Sequence, residues 1–330
     1  MDPDQLLDPE YRFFRDEVSS AWTLSNLAAI RTRIHATFKP AELARGEQHW
    51  VRGTANTNDL RLCLYRPEHR PEISPEHRPD CSPDAQDLPA ILYVHGGGFV
   101  LGCPEMADDY LADLAIELGA LIVAVDYRLA PEHPFPAPLN DCYRGLEWLL
   151  RQQAALGVNP ERIVIMGHSA GGGLAAALTL LARDRGEISV AGSVLIYPML
   201  DHRTGTPDAP ADNPATGTFS WSREANQFCW QCYQGEYPSK HQGNDERAML
   251  FSPALATDLS HLPPSFIAVG ALDLFVDEDM AWAGQLSRSG VPVELHVYPG
   301  VPHMFDLHPG AVTEQCKTDV LRALKKMLGR

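Results

Sequence analysis

RIVIMGHSAGGG, residues 162–173, joins two different patterns at one serine. Arg162–Gly167 is a short apolar run rich in β-branched residues, the signature of a buried strand. From Ala170 an alanine- and leucine-rich pattern runs to about residue 185 and reads as a helix. Strand, G-x-S-x-G and helix in that order form a nucleophile elbow, in which serine sits on a strained turn. Gly167 and Gly171, two positions either side of Ser169, leave room for neighbouring backbones. A tight turn needs no chemistry, so the remaining chain must supply what a reactive serine requires.

Working outward, the same alternation recurs. AILYVHG (90–96), LIVAVDY (121–127), SVLIYP (193–198), SFIAVGA (265–271) and VELHVYP (293–299) are further strand-like runs. Helical patterns at 106–118, 138–156, 170–185 and 278–289 lie between most of them. This predicts an α/β fold, a mostly parallel central sheet with helices on both faces. Ahead of it, residues 5–38 carry helical spacing through Leu6, Leu7, Tyr11, Phe14 and Val18, and 51–65 alternate like strands. Pro67–Ser74 is nearly repeated as Pro75–Ser82, which reads as a solvated loop over 66–83. Residues 201–250 break the alternation and are aromatic-rich. The expected organisation is a helical cap segment at 1–50, a catalytic domain at 51–200 and 251–330, and a cap or lid insertion at 201–250.

In such sheets ligands bind beyond the carboxyl ends of the strands. Four strand ends carry chemistry: His95-Gly96-Gly97-Gly98-Phe99, Ser169, Asp273 and His303. A serine hydroxyl needs a base that titrates near neutrality, and the imidazole needs a carboxylate to fix its tautomer. The order Ser169…Asp273…His303 is the one this elbow calls for. Glycines at 96–98 let backbone N–H groups approach a substrate oxygen, and the N–H of Ala170 lies at a helix N-terminus. Among alternatives, Asp277, Glu278 and Asp279 read as the acidic first turn of the next helix. His296 alternates within a strand, His308 is a weaker second choice of base, and His95 reads as a brace for the glycine loop. Tyr127, Arg128 and Glu132 read as structural. His168, at the x of the elbow, should point away from the serine and lie in or beside the pocket.

Composition narrows the partners. The 330 residues are 45% hydrophobic, enough for a large core, and 43 acidic against 27 basic side chains give a net charge of −16. That balance opposes nucleic acid and anionic membrane surfaces. No signal peptide or membrane-length apolar run is visible, and seven scattered cysteines read as reduced thiols, so a cytoplasmic protein is expected. Cys229 and Cys232 form a lone C-x-x-C, read as ordinary cysteines; no metal and no cofactor are implied.

Three motifs, HGGGF (95–99), DYRLAPEHPFPA (126–137) and GHSAGG (167–172), together resemble the hormone-sensitive-lipase-like carboxylesterases of the α/β-hydrolase superfamily. The resemblance runs from about residue 90 to the end. It implies an α/β-hydrolase fold with a helical cap, and an oxyanion hole from the backbone N–H groups of Gly97, Gly98 and Ala170. It also implies a serine carboxylesterase that cleaves short- to medium-chain acyl esters through an acyl-enzyme. An amidase or arylacetamide-type deacylase is the alternative within enzymes, a non-hydrolytic ligand receptor the alternative outside them. Homodimerisation is a family-level expectation. The chain departs from the pattern at His168, often Asp, at Leu274–Phe275 after the acid, and at Met304, often Gly. Phe219, Trp221 and Phe305, with His168, are the candidate walls of a substrate pocket.

Overall fold

The computed structural model of the chain describes residues 2–16, 21–54, 58–67, 87–237 and 247–330. Almost all of the duplicated loop at 66–83, with Cys81, lies outside the described residues, as does Val18. In chain order the elements begin with α1 (Leu27–His35), β1 (Glu47–Val51), β2 (Leu60–Tyr65), β3 (Leu88–Val94), α2 (Asp108–Leu118) and β4 (Leu121–Asp126). They continue with α3 (Ala137–Arg151), α4 (Gln153–Leu156), β5 (Val158–His168), α5 (Ala170–Arg185), β6 (Gly192–Ile196) and α6 (Arg223–Gln234). α7 (Ala248–Phe251), β7 (Ser265–Gly270), α8 (Val276–Arg288), β8 (Val293–Tyr298) and α9 (Ala311–Met327) complete the fold.

The strands form one eight-stranded sheet in the order β1-β2-β4-β3-β5-β6-β7-β8. β2 runs antiparallel to both its neighbours, β1 and β4, and every other pairing is parallel. The sheet is covered on both faces, which explains why its strands read as unbroken apolar runs. Along β3, Ala90, Leu92 and Val94 join one core with α3, α5 and α8. Ile91 and Tyr93 point the other way, into a second core with α2 and α9. α9 adds to the expected helices: its buried Cys316, Val320, Ala323 and Leu324 keep helical spacing but are diluted by charged neighbours.

The amino-terminal segment departs from the helical expectation. Pro3–Gln5 and Pro9–Asp16 are 3-10 helices, and only Leu27–His35 is α-helical. Three residues per turn puts Tyr11 and Phe14 on one face, where both are buried. Tyr11 locks this segment to α9 through a 2.8 Å hydrogen bond between its hydroxyl and that of Thr313. Further along, the Arg31 guanidinium of α1 donates to the carbonyls of Val100 and Ala130 and pairs with Glu132 at 2.7 and 2.8 Å.

The DYRLAPEHPFPA stretch braces the sheet's carboxyl end. Tyr127 donates its hydroxyl proton to the His95 carbonyl at 2.9 Å. Arg128 grips the buried Asp141 carboxylate with two side-chain N–H groups at 2.7 and 3.0 Å. Helix α5 meets β3 as closely as backbones allow: a Cβ on Gly171 would lie 2.2 Å from the Val94 carbonyl oxygen. Gly171→Ala is therefore expected to lower stability by about 3 kcal/mol or more, read as a fall in the urea midpoint; an unchanged midpoint would refute this account of the elbow's packing.

Candidate active site

Ser169 links the last residue of β5 to the first of α5, with φ 55° and ψ −122°. Non-glycine residues rarely adopt this conformation, and it persists where surroundings over-determine it. Three hydrogen bonds do so here. The Ser169 N–H donates to the Ile196 carbonyl at 2.9 Å, and its own carbonyl accepts from Gly173 and Met199, both at 3.0 Å. The turn aims the hydroxyl at His303, whose Nε2 lies 2.9 Å from Ser169 Oγ. His303 Nδ1 lies 2.7 Å from Asp273 Oδ2, and Asp273 Oδ1 accepts the Phe275 N–H at 2.9 Å. Three separate strand ends thus converge on one hydrogen-bonded chain. Asp273 and His303 are buried, and the His303 ring is walled by Tyr197, Phe275 and Trp221 at 4.5, 5.1 and 5.8 Å between centroids. Removal of water around a hydrogen bond of this kind strengthens it.

The glycine loop follows β3. Gly97 and Gly98 have φ of 113° and 59°, in the left-handed region that favours glycine. A Cβ on Gly98 would strike Cys229 and Trp221 of the 201–250 insertion, so the loop and the insertion pack without space for a side chain. His95 braces the loop through Nδ1, 2.7 Å from the Gly96 carbonyl, and its ring stacks on Tyr127 at 4.1 Å. Burial pushes its pKa down to about 4, so it is neutral at physiological pH and its Nδ1–H donates.

Alternative bases and acids lie elsewhere. His296 pairs with Glu294 at 2.7 Å on β8, and His308 packs on Phe13 and Phe14. Asp277, Glu278 and Asp279 do occupy the first turn of α8, but dipole compensation is not their whole setting. Glu278 is buried and accepts the Leu200 N–H at 2.7 Å, while neither Asp279 oxygen has a hydrogen-bond partner among the described residues. Burial, then the nearby Glu278 and Asp273 carboxylates, push Asp279 well above the ordinary carboxylate range. Between its unfolded and folded pKa values the folded chain holds a proton that the unfolded chain lacks, so stability falls as pH rises. Asp279→Asn imitates the protonated form. Its stability gain over the parent, measured by urea midpoint, should be larger at pH 8 than at pH 5; equal gains at both would count against a buried neutral acid.

A cavity of about 890 Å³ opens over the serine, lined among others by Gly97, Gly98, Ser169, His303, His168 and Trp221. Phe219 and Phe305 are a correction to the expected walls: neither lines the cavity, and both are buried in the core between the sheet, α2 and α9. Phe305 follows Met304, whose φ of 61° turns the chain back toward the core just after His303. His168 does line the cavity, pointing away from Ser169 toward Asp306, 3.6 Å from Nε2 to Oδ2. Asp306 and Tyr197 were not singled out from the sequence. Tyr197 ends the SVLIY run, so the strand-end rule that found Asp273 applies to it equally. Among the described residues no group of three or more His, Cys, Asp or Glu could hold a metal, and no helix is long and apolar enough to cross a membrane.

Fold and site together define a hydrolase of the α/β type. The chain matches the α/β hydrolase fold family over residues 91–307 and belongs to that family, in the hormone-sensitive-lipase-like branch its motifs indicate. It is 32% identical over 311 residues to carboxylesterase NlhH of Mycobacterium tuberculosis, covering 90% of this chain and 88% of that one. Esterase LipI of the same species is 34% identical over 236 residues, 69% of each chain. Among solved structures, a bacterial heroin esterase superposes with a TM-score of 0.82 at 32% identity, covering 98% of both chains.

Proposed function

We propose that this carboxylic ester hydrolase works by two-step acyl transfer, with Ser169 as nucleophile, His303 as general base and Asp273 as the carboxylate that orients it. The observation that carries the reading is the unbroken chain Asp273–His303–Ser169, which ends on a hydroxyl facing the cavity. Ser169 attacks the ester carbonyl carbon while His303 Nε2 takes the hydroxyl proton. Charge develops on the carbonyl oxygen, and the N–H groups of Gly97, Gly98 and Ala170 are the donors we assign to it. His303 then returns the proton to the departing alcohol, and the imidazolium is stabilised throughout by Asp273. Water repeats the sequence on the acyl-enzyme, releasing the acid and restoring the serine.

The substrate range we propose is short- to medium-chain acyl esters. The amino-terminal segment and the 201–250 insertion act together as the cap in this reading, because Trp22 packs edge-on against Trp221 at 5.6 Å above the cavity. A series of p-nitrophenyl esters from acetate to palmitate tests the range. kcat/KM is expected to peak between acetate and octanoate and to fall at least tenfold by palmitate. Undiminished palmitate turnover would overturn the chain-length assignment. Binding without turnover of any ester would instead point to a receptor, and faster cleavage of the matching anilides to an amidase.

A further inference from the structure

The cavity is larger than the acyl-transfer centre needs, and its lining belongs to both cores. Trp22, Trp221 and Ala225 border it on the cap side, with the core that holds α3, α5 and α8. Tyr93, Tyr110, Leu114, Ile196, Val320 and Leu321 border it on the opposite face of the sheet. The void therefore continues past the elbow into an arm between α2 and α9, floored by β3 and β6. No step of the proposed acyl transfer uses that arm.

Its inner end is built from aromatic rings around one polar pair. The His168 ring lies 5.5, 6.0 and 5.8 Å from the rings of Tyr93, Tyr110 and Tyr197. Asp306 accepts the Tyr197 hydroxyl proton on Oδ1 at 2.6 Å, which leaves Oδ2 facing His168. Against the cost of burial, His168 and Tyr197 hold the Asp306 carboxyl below the ordinary range, so Oδ2 is an acceptor. The 3.6 Å between Oδ2 and His168 Nε2 is too long for a hydrogen bond, and both side chains retain accessible surface, 13% for His168 and 12% for Asp306. His168 Nδ1 also has no partner among the described residues. A buried acceptor and an imidazole at this spacing can share one small donor–acceptor group between them.

We propose that the arm between α2 and α9 is a second substrate subsite. It takes the aromatic part of an ester, with a hydroxyl or amino substituent on that ring bonded to Asp306 and His168. This rests on the hydrolase reading above and narrows its substrate class to aryl esters that carry a hydrogen-bond donor. The tyrosines supply the ring contacts, which favour edge-on and offset geometries. Leu114, Val320 and Leu321 supply the aliphatic part of the arm's walls, and Asp113, Glu117, Glu314 and Lys317 of the same two helices line its solvent-facing part. A substituent unable to donate leaves the polar pair unsatisfied, which is how such sites discriminate most strongly.

Three esters read this out: vinyl acetate, 4-methylphenyl acetate and 4-hydroxyphenyl acetate. The two aryl esters have leaving groups of nearly equal size and acidity, so their ratio reports the substituent. In the parent protein kcat/KM for the hydroxyphenyl ester should exceed that for the methylphenyl ester at least fivefold. His168→Phe combined with Asp306→Leu, which removes both polar partners of the substituent, should bring that ratio to about one. Leu321→Trp, which fills the arm from α9, should lower kcat/KM for both aryl esters relative to vinyl acetate at least tenfold. Should Leu321→Trp not fold, competitive inhibition of vinyl acetate turnover by hydroquinone replaces it, and that inhibition should weaken at least fivefold in Leu321→Phe. Ratios that stay within twofold of the parent in these variants overturn the subsite. Failure of the parent to turn over vinyl acetate, by contrast, overturns the hydrolase reading itself.

Discussion

Ser169→Ala is expected to reduce turnover of p-nitrophenyl acetate by roughly 10⁴–10⁶-fold, with the unfolding transition essentially unmoved. The size of the loss follows from the removal of the hydroxyl that meets the base. Ser169 Oγ is the atom within hydrogen-bond distance of His303 Nε2, and alanine removes that atom alone. Stability should be spared because the backbone of the turn is held by main-chain bonds to Ile196, Gly173 and Met199, none of which involves the hydroxyl. What would remain is catalysis by the N–H groups we assign to the oxyanion and by binding. A loss smaller than tenfold, measured on protein free of parent contamination, would remove Ser169 from the nucleophile's role.

Asp273→Asn should cost on the order of 10⁴-fold in kcat. The carboxylate accepts a hydrogen bond from His303 Nδ1–H, which keeps the ring proton there and leaves Nε2 with a lone pair for the serine hydroxyl. An asparagine amide placed in the same contact can donate to Nδ1 instead, selecting the tautomer with its hydrogen on Nε2. The geometry would survive while the chemistry stalls, since the remaining amide oxygen can still accept the Phe275 N–H. Asp279 provides the contrast: it is buried on α8, where the nearby Asp273 carboxylate opposes its ionisation, and makes no hydrogen bond among the described residues. If Asp273→Asn retained more than a tenth of parent kcat, the orienting carboxylate would have to be sought among such neighbours.

Much of this was legible in the chain because the informative residues obey local rules. Each buried strand of the parallel sheet is a short apolar run, and Ser169, Asp273 and His303 each stand within a few residues of a strand end. Their mutual distances were not legible, since 134 residues separate the hydroxyl from the imidazole that meets it. Glycine spacing in HGGGF and GHSAGG marked where backbones come close, and Gly171 against Val94 is one such approach. The losses are equally physical. An aromatic residue near a reactive histidine can face a cavity or a core, and sequence does not distinguish them: Trp221 faces the cavity, Phe305 the core. The 3-10 turns at Pro9–Asp16 were missed because a three-residue step also fits an α-helix over so short a stretch. Tyr197 and Asp306 become a pair only when β6 and the loop after β8 lie side by side.

The grip of Arg31 bears on how this protein can be handled. One guanidinium spans the Val100 carbonyl, two residues past the glycine loop, and the Ala130 carbonyl in the neighbouring turn. Helix α1 is thereby fastened to the backbone beside the glycine loop whose N–H groups we assign to the substrate's oxygen. A protease nick, a tag fused too tightly, or a trimmed expression clone at that end would not yield a smaller version of the same catalyst. It would loosen the anvil on which the reaction is struck, even though every reacting side chain remained in place.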